Sequence, residues 1–279
     1  STPKPSSAAS DVYKRQIMDR IAVISDVHAN LEALKAVLQD IEERGINHIY
    51  CLGDNIAKGV HANECLELLI KKCEVMIQGN CDEYFSNESS EKLNSPRYLW
   101  NRQLISASWL EYLKKLPTSH EIYMSGRLIR FIHATPYSNH DFVVSASNIQ
   151  KKLKMFQPGE LVNSSKIADI VCYGHTHTPY FDKIFNRSLI NVGSVGNGLE
   201  IFQDEKWNGN PLESVDATYL ILEGTLNTKQ WSSLSYQWVK VPYSIELELN
   251  NEIDNPEKET YTKELTMGMY RDMAKIKLK

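Results

Sequence analysis

RIAVISDVHANLEALKAVLQDIEERG, Arg20 to Gly45, carries the plan of the whole chain. Its apolar opening, Ile21 to Ile24, reads as a short β-rich run; a polar loop follows, and then Leu31, Leu34, Val37, Leu38 and Ile41 recur at helical spacing on one face. Asn30 suits the helix N-cap and Gly45 its stop. The unit then repeats. HIYCLGDN (His48–Asn55) is a second apolar run ending in Gly-Asp, Asn63 to Lys72 a second helix, and CEVMIQGN (Cys73–Asn80) a third strand ending in Gly-Asn. The order β-α-β-α-β predicts a parallel sheet that binds its ligands at the carboxyl ends of the strands.

Further along, Leu104, Trp109, Leu110 and Leu113 predict helix from about Pro96 to Leu116, ended by Pro117. EIYMSGRLIRFIHATP (Glu121–Pro136) predicts a hairpin around Ser125-Gly126 whose second strand ends at His133. After another helical stretch come the strand DIVCYGHTH (Asp169–His177), a hairpin around Asn186-Arg187, and late strands at ATYLILEG (Ala217–Gly224) and LSYQWVKV (Leu234–Val241). The site-bearing domain is expected over residues 18–249. The charged segment 250–279 is expected to be a tail with a terminal helix near Glu264 to Ala274. SSAASDVYKRQ (Ser6–Gln16) matches the in-frame translation of a transposon-based sequencing adapter, so the native start is expected at Met18 and residues 1–17 are left out of the fold. Mass spectrometry that found residues before Met18 in natively expressed protein would overturn this.

At 279 residues and 42% hydrophobic, the chain can bury the core of one large domain or two small ones. Its formal charge is -4, which disfavours non-specific binding to nucleic acid, since that needs a basic surface. No apolar segment is long enough to span a bilayer, so no membrane partner is expected and the compartment is read as cytoplasmic. The five cysteines (Cys51, Cys65, Cys73, Cys81, Cys172) contain no Cys-x-x-Cys pair and are odd in number, which argues against a disulfide framework or a zinc ribbon. Cys51 and Cys172 lie in apolar runs and are expected as core thiols.

Five strand ends carry metal-competent residues: Asp26-Val27-His28, Gly53-Asp54, Gly79-Asn80, His133, and His175-Thr176-His177. Each alone is ordinary loop chemistry. Five in order, each just past an apolar run, point to one site. Phosphoester cleavage needs charge neutralisation on the phosphoryl oxygens and a nucleophile near neutral pH, and two cations about 3.5–4 Å apart supply both. Imidazole and carboxamide donors suit manganese, iron, zinc or nickel better than magnesium.

This ordered set resembles that of the calcineurin-like metallophosphoesterase superfamily, over Ile21 to about Val241. ISDVHANLEALKAVL, LGDN followed by NECLELL, and INVGSVG resemble its small bacterial and archaeal phosphodiesterase branch. The resemblance implies an α/β fold, a four-layer αββα sandwich of two mixed sheets with the site along one edge. It further implies two divalent ions, manganese first, with iron, zinc or nickel as alternatives. Asp26, His28 and His177 would hold the first ion, Asn80, His133 and His175 the second, and Asp54 would bridge them. A hydroxide held between the ions would attack phosphorus, with Asp54, Asn80 and His133 catalytic through the metals. Cys81, Asp82 and Asn30 would stand next to the substrate or behind the ligands.

Three departures bear on specificity. Gly79-Asn80-Cys81-Asp82 has cysteine where most of the superfamily has histidine, and a thiol is a weaker, uncharged donor; a small packing residue is the other reading. Ala29 replaces a usual glycine and Val192 a usual proline, two changes the site is expected to tolerate. The arginine that protein phosphatases carry after Gly-Asp is absent from GDNIAKG, where Lys58 and His61 read as solvated loop residues, with reach to a substrate phosphate as the second reading. The expected activity is a phosphodiesterase acting on small nucleotide-type esters. A phosphomonoesterase of the same fold and a non-catalytic metal-binding scaffold are the alternatives. The physiological ester, the native metal and any homo-oligomer stay open at this level.

Overall fold

Strand β1 (Asp19–Ile24) shows how alternation builds the layers. Ile21 and Val23 face one cluster of buried residues and Ala22 and Ile24 another, because successive side chains of a strand point to opposite faces. The computed structural model describes residues 18–87, 96–199, 215–251 and 254–268. Residues 1–17 and 269–279, and with them the expected leader and the end of the expected terminal helix, lie outside these described residues.

In chain order β1 is followed by α1 (Leu31–Glu43), β2 (His48–Cys51), α2 (Ala62–Lys72), β3 (Val75–Met76), α3 (Asn80–Ser86), α4 (Pro96–Gln103) and α5 (Ala107–Leu113). Then come β4 (Ser119–Met124), β5 (Arg127–Ile132), α6 (Ile149–Lys154), β6 (Ile170–Tyr173), β7 (Tyr180–Ile184) and β8 (Arg187–Asn191). The described chain closes with β9 (Ala217–Gly224), β10 (Ser235–Val241), α7 (Ile245–Asn250) and α8 (Lys258–Met267).

These strands form two five-stranded sheets, ordered β10-β9-β1-β2-β3 and β4-β5-β6-β8-β7. The parallel β1-β2-β3 unit is present, but β9 pairs antiparallel to β1, so the expected parallel sheet is mixed. Ile21, Val23, Leu52, Phe131, Cys172, Ile190, Leu220 and Leu222 fill the space between the sheets. The outer face of the first sheet packs under α1 and α2 through Leu34, Val37, Ile41, Leu66 and Leu69. That of the second carries Val171, Tyr173 and Leu189 under Met155 and Phe156. The result is the four-layer αββα sandwich.

Asn30 caps α1, its side chain accepting from Ala33 N at 3.0 Å, and all five apolar residues assigned to that helix face are buried. Three expectations are corrected. The third strand shrinks to Val75–Met76, because the chain leaves the sheet to hydrogen-bond Pro117 through Gln78 N. The middle helix breaks into α4 and α5 around Ser106, which is held by Asn63 Oδ1 at 3.1 Å. The segment expected to be a tail packs on the domain: α8 buries Tyr261, Glu264 and Leu265. The five cysteines are free thiols, with Cys51, Cys65 and Cys172 buried. Among the described residues no helix is long and apolar enough to cross a membrane.

Candidate active site

The turns after β1, β2 and β6 hold the backbone in an uncommon conformation. Asp26, His28, Asp54, His175 and His177 all have left-handed backbone, with φ of 53°, 51°, 52°, 65° and 61°. Such residues cost about 1–3 kcal/mol each and cluster at functional sites. Cross-links hold them: Asp26 N donates to Gly53 O at 2.9 Å, His28 N to Asp54 O at 2.9 Å, and Gly174 N to His133 O at 3.0 Å. The backbone N–H of His175 donates to Asp26 Oδ2 at 2.9 Å and so ties the two sheets together. The turns touch so closely that a methyl group at Gly79 would lie 2.2 Å from Asp54 N. Glycine is required there by contact, whatever its backbone angle.

The side chains converge. Ligand-type atoms of Asp26, His28 and His177 lie within 4.8 Å of one another, as do those of Asp26, Asp54 and His133, and those of His28, Asp54 and Cys81. Asp54 reaches both ways: Oδ2 is 3.7 Å from His28 Nε2 and Oδ1 is 3.5 Å from His133 Nε2. His177 Nε2 is 3.4 Å from Asp26 Oδ1. Asn80 joins through Oδ1, 2.9 Å from His133 Nε2, and the His175 ring lies 5.1 Å from that of His133. All seven residues read from the sequence as metal ligands therefore meet at one place.

Hydrogen bonding decides whether these groups suit metal ions. The Nδ1 atoms of His28, His133 and His177 face the carbonyls of Ile56, Leu52 and Asn197. A carbonyl can only accept, so each Nδ1 carries the hydrogen, and a ring in its neutral form presents a bare Nε2 lone pair. Yet His28 Nε2 and His177 Nε2 stand 3.0 Å apart, and His133 Nε2 faces two oxygens. Electron pairs face electron pairs, the arrangement a cation relieves. Asp26 Oδ1 and His175 Nε2 are buried with no hydrogen-bond partner among the described residues. Backbone carbonyls that orient the imidazoles are the usual support of histidine ligands. The residues fit divalent metal.

The charge environment differs from ring to ring: burial works to lower His133, but Asp54, then Asp26, raise it above its ordinary range. Burial, then Lys58 and His177, push the His28 imidazole well below its ordinary range. Burial, then His133, brings His175 down to about 3. Both rings are neutral at pH 7 and free to donate a lone pair.

Around this cluster Asp82 is a support. Its carboxylate accepts from Gly79 N at 2.9 Å, Asn55 N at 3.0 Å and Asn55 Nδ2 at 2.8 Å, fixing the first turn of α3 against the turn after β2. Burial, then Asp54, push it up to about 7. Cys81 donates its backbone N–H to Asp54 Oδ1 at 2.8 Å, and burial, then Asp54, raise its thiol well above the ordinary range. Asn30 does not point into the cluster: its amide is used on Ala33 N, Gly196 O and Tyr243. Lys58 is not a solvated loop residue either, since it is 7% exposed and bonded to Glu264 and Asn197. His61 lies 3.2 Å from Glu64. Sequence reasoning missed Asn197, whose carbonyl orients His177, and Phe142, whose ring lies 4.6 Å from that of His175. Asn197 follows INVGSVG directly and could have been found there; an exposed Phe142 in a loop carries no such signal.

Comparison with known proteins agrees with this geometry. The model of the calcineurin-like phosphoesterase superfamily domain matches residues 19–204. The uncharacterized protein MJ0912 of Methanocaldococcus jannaschii is 31% identical over 199 residues, covering 70% of this chain and 76% of that protein. Among solved structures, hypothetical protein PH1004 from Pyrococcus horikoshii is similar with a TM-score of 0.70 at 18% identity, covering 91% of this chain and 100% of the other. A metallophosphoesterase from Sphaerobacter thermophilus is similar with a TM-score of 0.64 at 23% identity, covering 90% and 99%. Motif order, sandwich architecture and a metal-fitting Asp/His cluster at the strand ends agree with the sequence match, and the chain belongs to the calcineurin-like phosphoesterase superfamily.

Proposed function

We propose that the chain is a metal-dependent phosphodiesterase acting on small, nucleotide-type phosphate esters. The observation that carries this reading is Asp54, whose two carboxylate oxygens face imidazoles of two different groups, His28 on one side and His133 on the other. Asp26, His28 and His177 would hold one divalent ion and Asn80, His133 and His175 a second, with Asp54 shared; manganese suits these donors, as do iron, zinc and nickel. Bound there, the ions supply Lewis-acid neutralisation of phosphoryl charge and a nucleophile at neutral pH.

The chain's own groups set the preference. The N–H of Cys81 holds Asp54 Oδ1, and Asp82 holds the turn that presents Asn80. Beside them the Cys81 thiol stays neutral, so no imidazolium stands at that position. A monoester carries nearly two negative charges at pH 7 because its second pKa is about 6, whereas a diester carries one. A site without that extra cation favours the singly charged ester.

The test compares initial rates of manganese-loaded protein on bis-p-nitrophenyl phosphate and p-nitrophenyl phosphate, with Asp54→Asn as control. Faster diester hydrolysis, lost in the variant, is expected. Equal or faster monoester hydrolysis would refute the diester preference, and no turnover with any borderline metal despite bound ions would refute the enzyme reading.

A further inference from the structure

Helix α8 lies beyond the residues matched by the family, yet it reaches the site. It buries Glu264 to 1% exposure together with Leu265. A carboxylate removed from water needs charged or hydrogen-bonding compensation. Glu264 Oε2 accepts from Lys58 Nζ at 3.0 Å and from Asn197 Nδ2 at 3.0 Å, and Lys58 Nζ also donates to Asn197 Oδ1. From the same segment Asn255 Nδ2 donates to Lys58 O at 3.2 Å.

Two partners of Glu264, Asn197 and Lys58, lie close to an imidazole. The Asn197 carbonyl accepts from His177 Nδ1. Lys58 shares a loop with Ile56, whose carbonyl accepts from His28 Nδ1 at 3.2 Å, and with Gly59, whose N–H donates to His28 O at 3.0 Å. Ala57 and Lys58 have φ of 76° and 72°, so this loop keeps its shape only where its surroundings hold it.

We propose that Glu264 is a positioning residue of the metal site: α8 clamps Lys58 and Asn197, and through their loops keeps the Nε2 atoms of His28 and His177 turned toward Asp26. The inference rests on the metal assignment made under the proposed function. It makes the C-terminal segment part of the site, with binding of the ion at Asp26, His28 and His177 dependent on a residue far away in sequence.

The test is calorimetric titration of the metal-stripped full chain with manganese, accompanied by circular dichroism. Glu264→Gln is expected to weaken uptake by about 10–100-fold, the usual effect of removing a group that orients metal ligands, with an unchanged dichroism spectrum. Leu265→Ala loosens the same helix without touching the network and is expected to lower the melting temperature while leaving the affinity unchanged. Lys58→Met/Glu264→Leu removes both charges at once, a replacement that buried ion pairs commonly tolerate, and is expected to show the same loss of affinity. Nitrogen NMR of the metal-free protein is expected to show the ring hydrogen of His177 on Nδ1, and to lose that single tautomer in Glu264→Gln. Wild-type affinity in Glu264→Gln, or an equal loss in Leu265→Ala, overturns the proposal. Failure of the wild type to take up any divalent cation would overturn the metal assignment itself, and the proposal with it.

Discussion

Gly174→Ala tests the close approach on which the site depends. Gly174 directly follows β6 and precedes His175, and its backbone is not left-handed, so an alanine there meets only a steric problem. The added methyl would lie 2.0 Å from Ser25 Oγ and 2.4 Å from Asp26 Oδ2. Asp26 Oδ2 is the atom that accepts from His175 N at 2.9 Å, so the methyl pushes this carboxylate away from the link between the sheets. Overpacking costs about 1–3 kcal/mol and loss of a hydrogen bond to a charged acceptor about 1.5–3 kcal/mol. Together they amount to about 2.5–6 kcal/mol, which for a chain of this size lowers the melting temperature by roughly 5–24 °C.

Thermal denaturation of the metal-free protein reads the first effect and manganese titration the second. Both are expected to change, because Asp26 serves the fold and the ligand set at once. Ser25→Ala in the same chain removes the nearest atom of the clash. Ser25 Oγ is buried with no hydrogen-bond partner among the described residues, so this trimming breaks no bond. The double variant is therefore expected to regain part of the melting temperature while manganese affinity stays low. Gly174→Ala with wild-type stability and wild-type affinity would refute the contact argument.

Three further outcomes follow from other parts of the molecule. Asp40 accepts from Tyr219 OH at 2.6 Å and from Arg44 Nε at 2.8 Å, and although burial works to raise it, these partners hold it below its ordinary 3.8. A depressed carboxyl contributes stability above its unfolded pKa and loses it as the pH falls through the folded one. Asp40→Asn should thus cost roughly 0.5–1 kcal/mol at pH 7, discounted because Arg44 is partly exposed, and urea titrations should show the gap closing toward pH 3. Arg130 is fully buried and donates to Glu121 and to the carbonyls of Phe156, Gln157 and Lys166. Arg130→Met should cost about 3–5 kcal/mol in chemical denaturation, with manganese uptake per folded molecule unchanged. Cys81→His should raise the monoester rate relative to the diester rate by about 10–100-fold, and an unchanged ratio would count against the role given to this position.

The legibility of this fold divides by sequence distance. Strand, loop and helix from Arg20 to Gly45 could be read because the apolar spacing and the cap at Asn30 are local. Ala217–Gly224 was legible as a strand, but its antiparallel place beside β1 was not, since pairing depends on residues nearly two hundred positions away. The ligand residues were legible through their chemistry and their place after apolar runs. The left-handed backbone of Asp26, His28, Asp54, His175 and His177 was not, because aspartate and histidine do not announce it as glycine does. Lys58 shows the limit most clearly: a lysine beside a glycine in a polar loop reads as solvated, and only the return of Glu264 from the chain's far end turns it into a buried group.

The same contacts suggest why the site sits where it does. Between the sheets the core is apolar and needs no polar exactness; at the strand ends the backbone must turn, and its N–H and C=O groups become free to serve side chains. Three of those carbonyls, on Leu52, Ile56 and Asn197, are used to fix three imidazoles. Fixing them removes the alternative tautomer in which neighbouring rings could hydrogen-bond each other, and this leaves bare nitrogen opposite bare nitrogen at 3.0 Å. The fold therefore maintains an arrangement that is unfavourable in itself and becomes favourable with a cation. An arrangement of that kind persists only under restraint from several directions. The cross-links among the turns, the close contacts at Gly79 and Gly174, and the clamp from α8 are those restraints, so packing and metal affinity should respond together when any one of them is released.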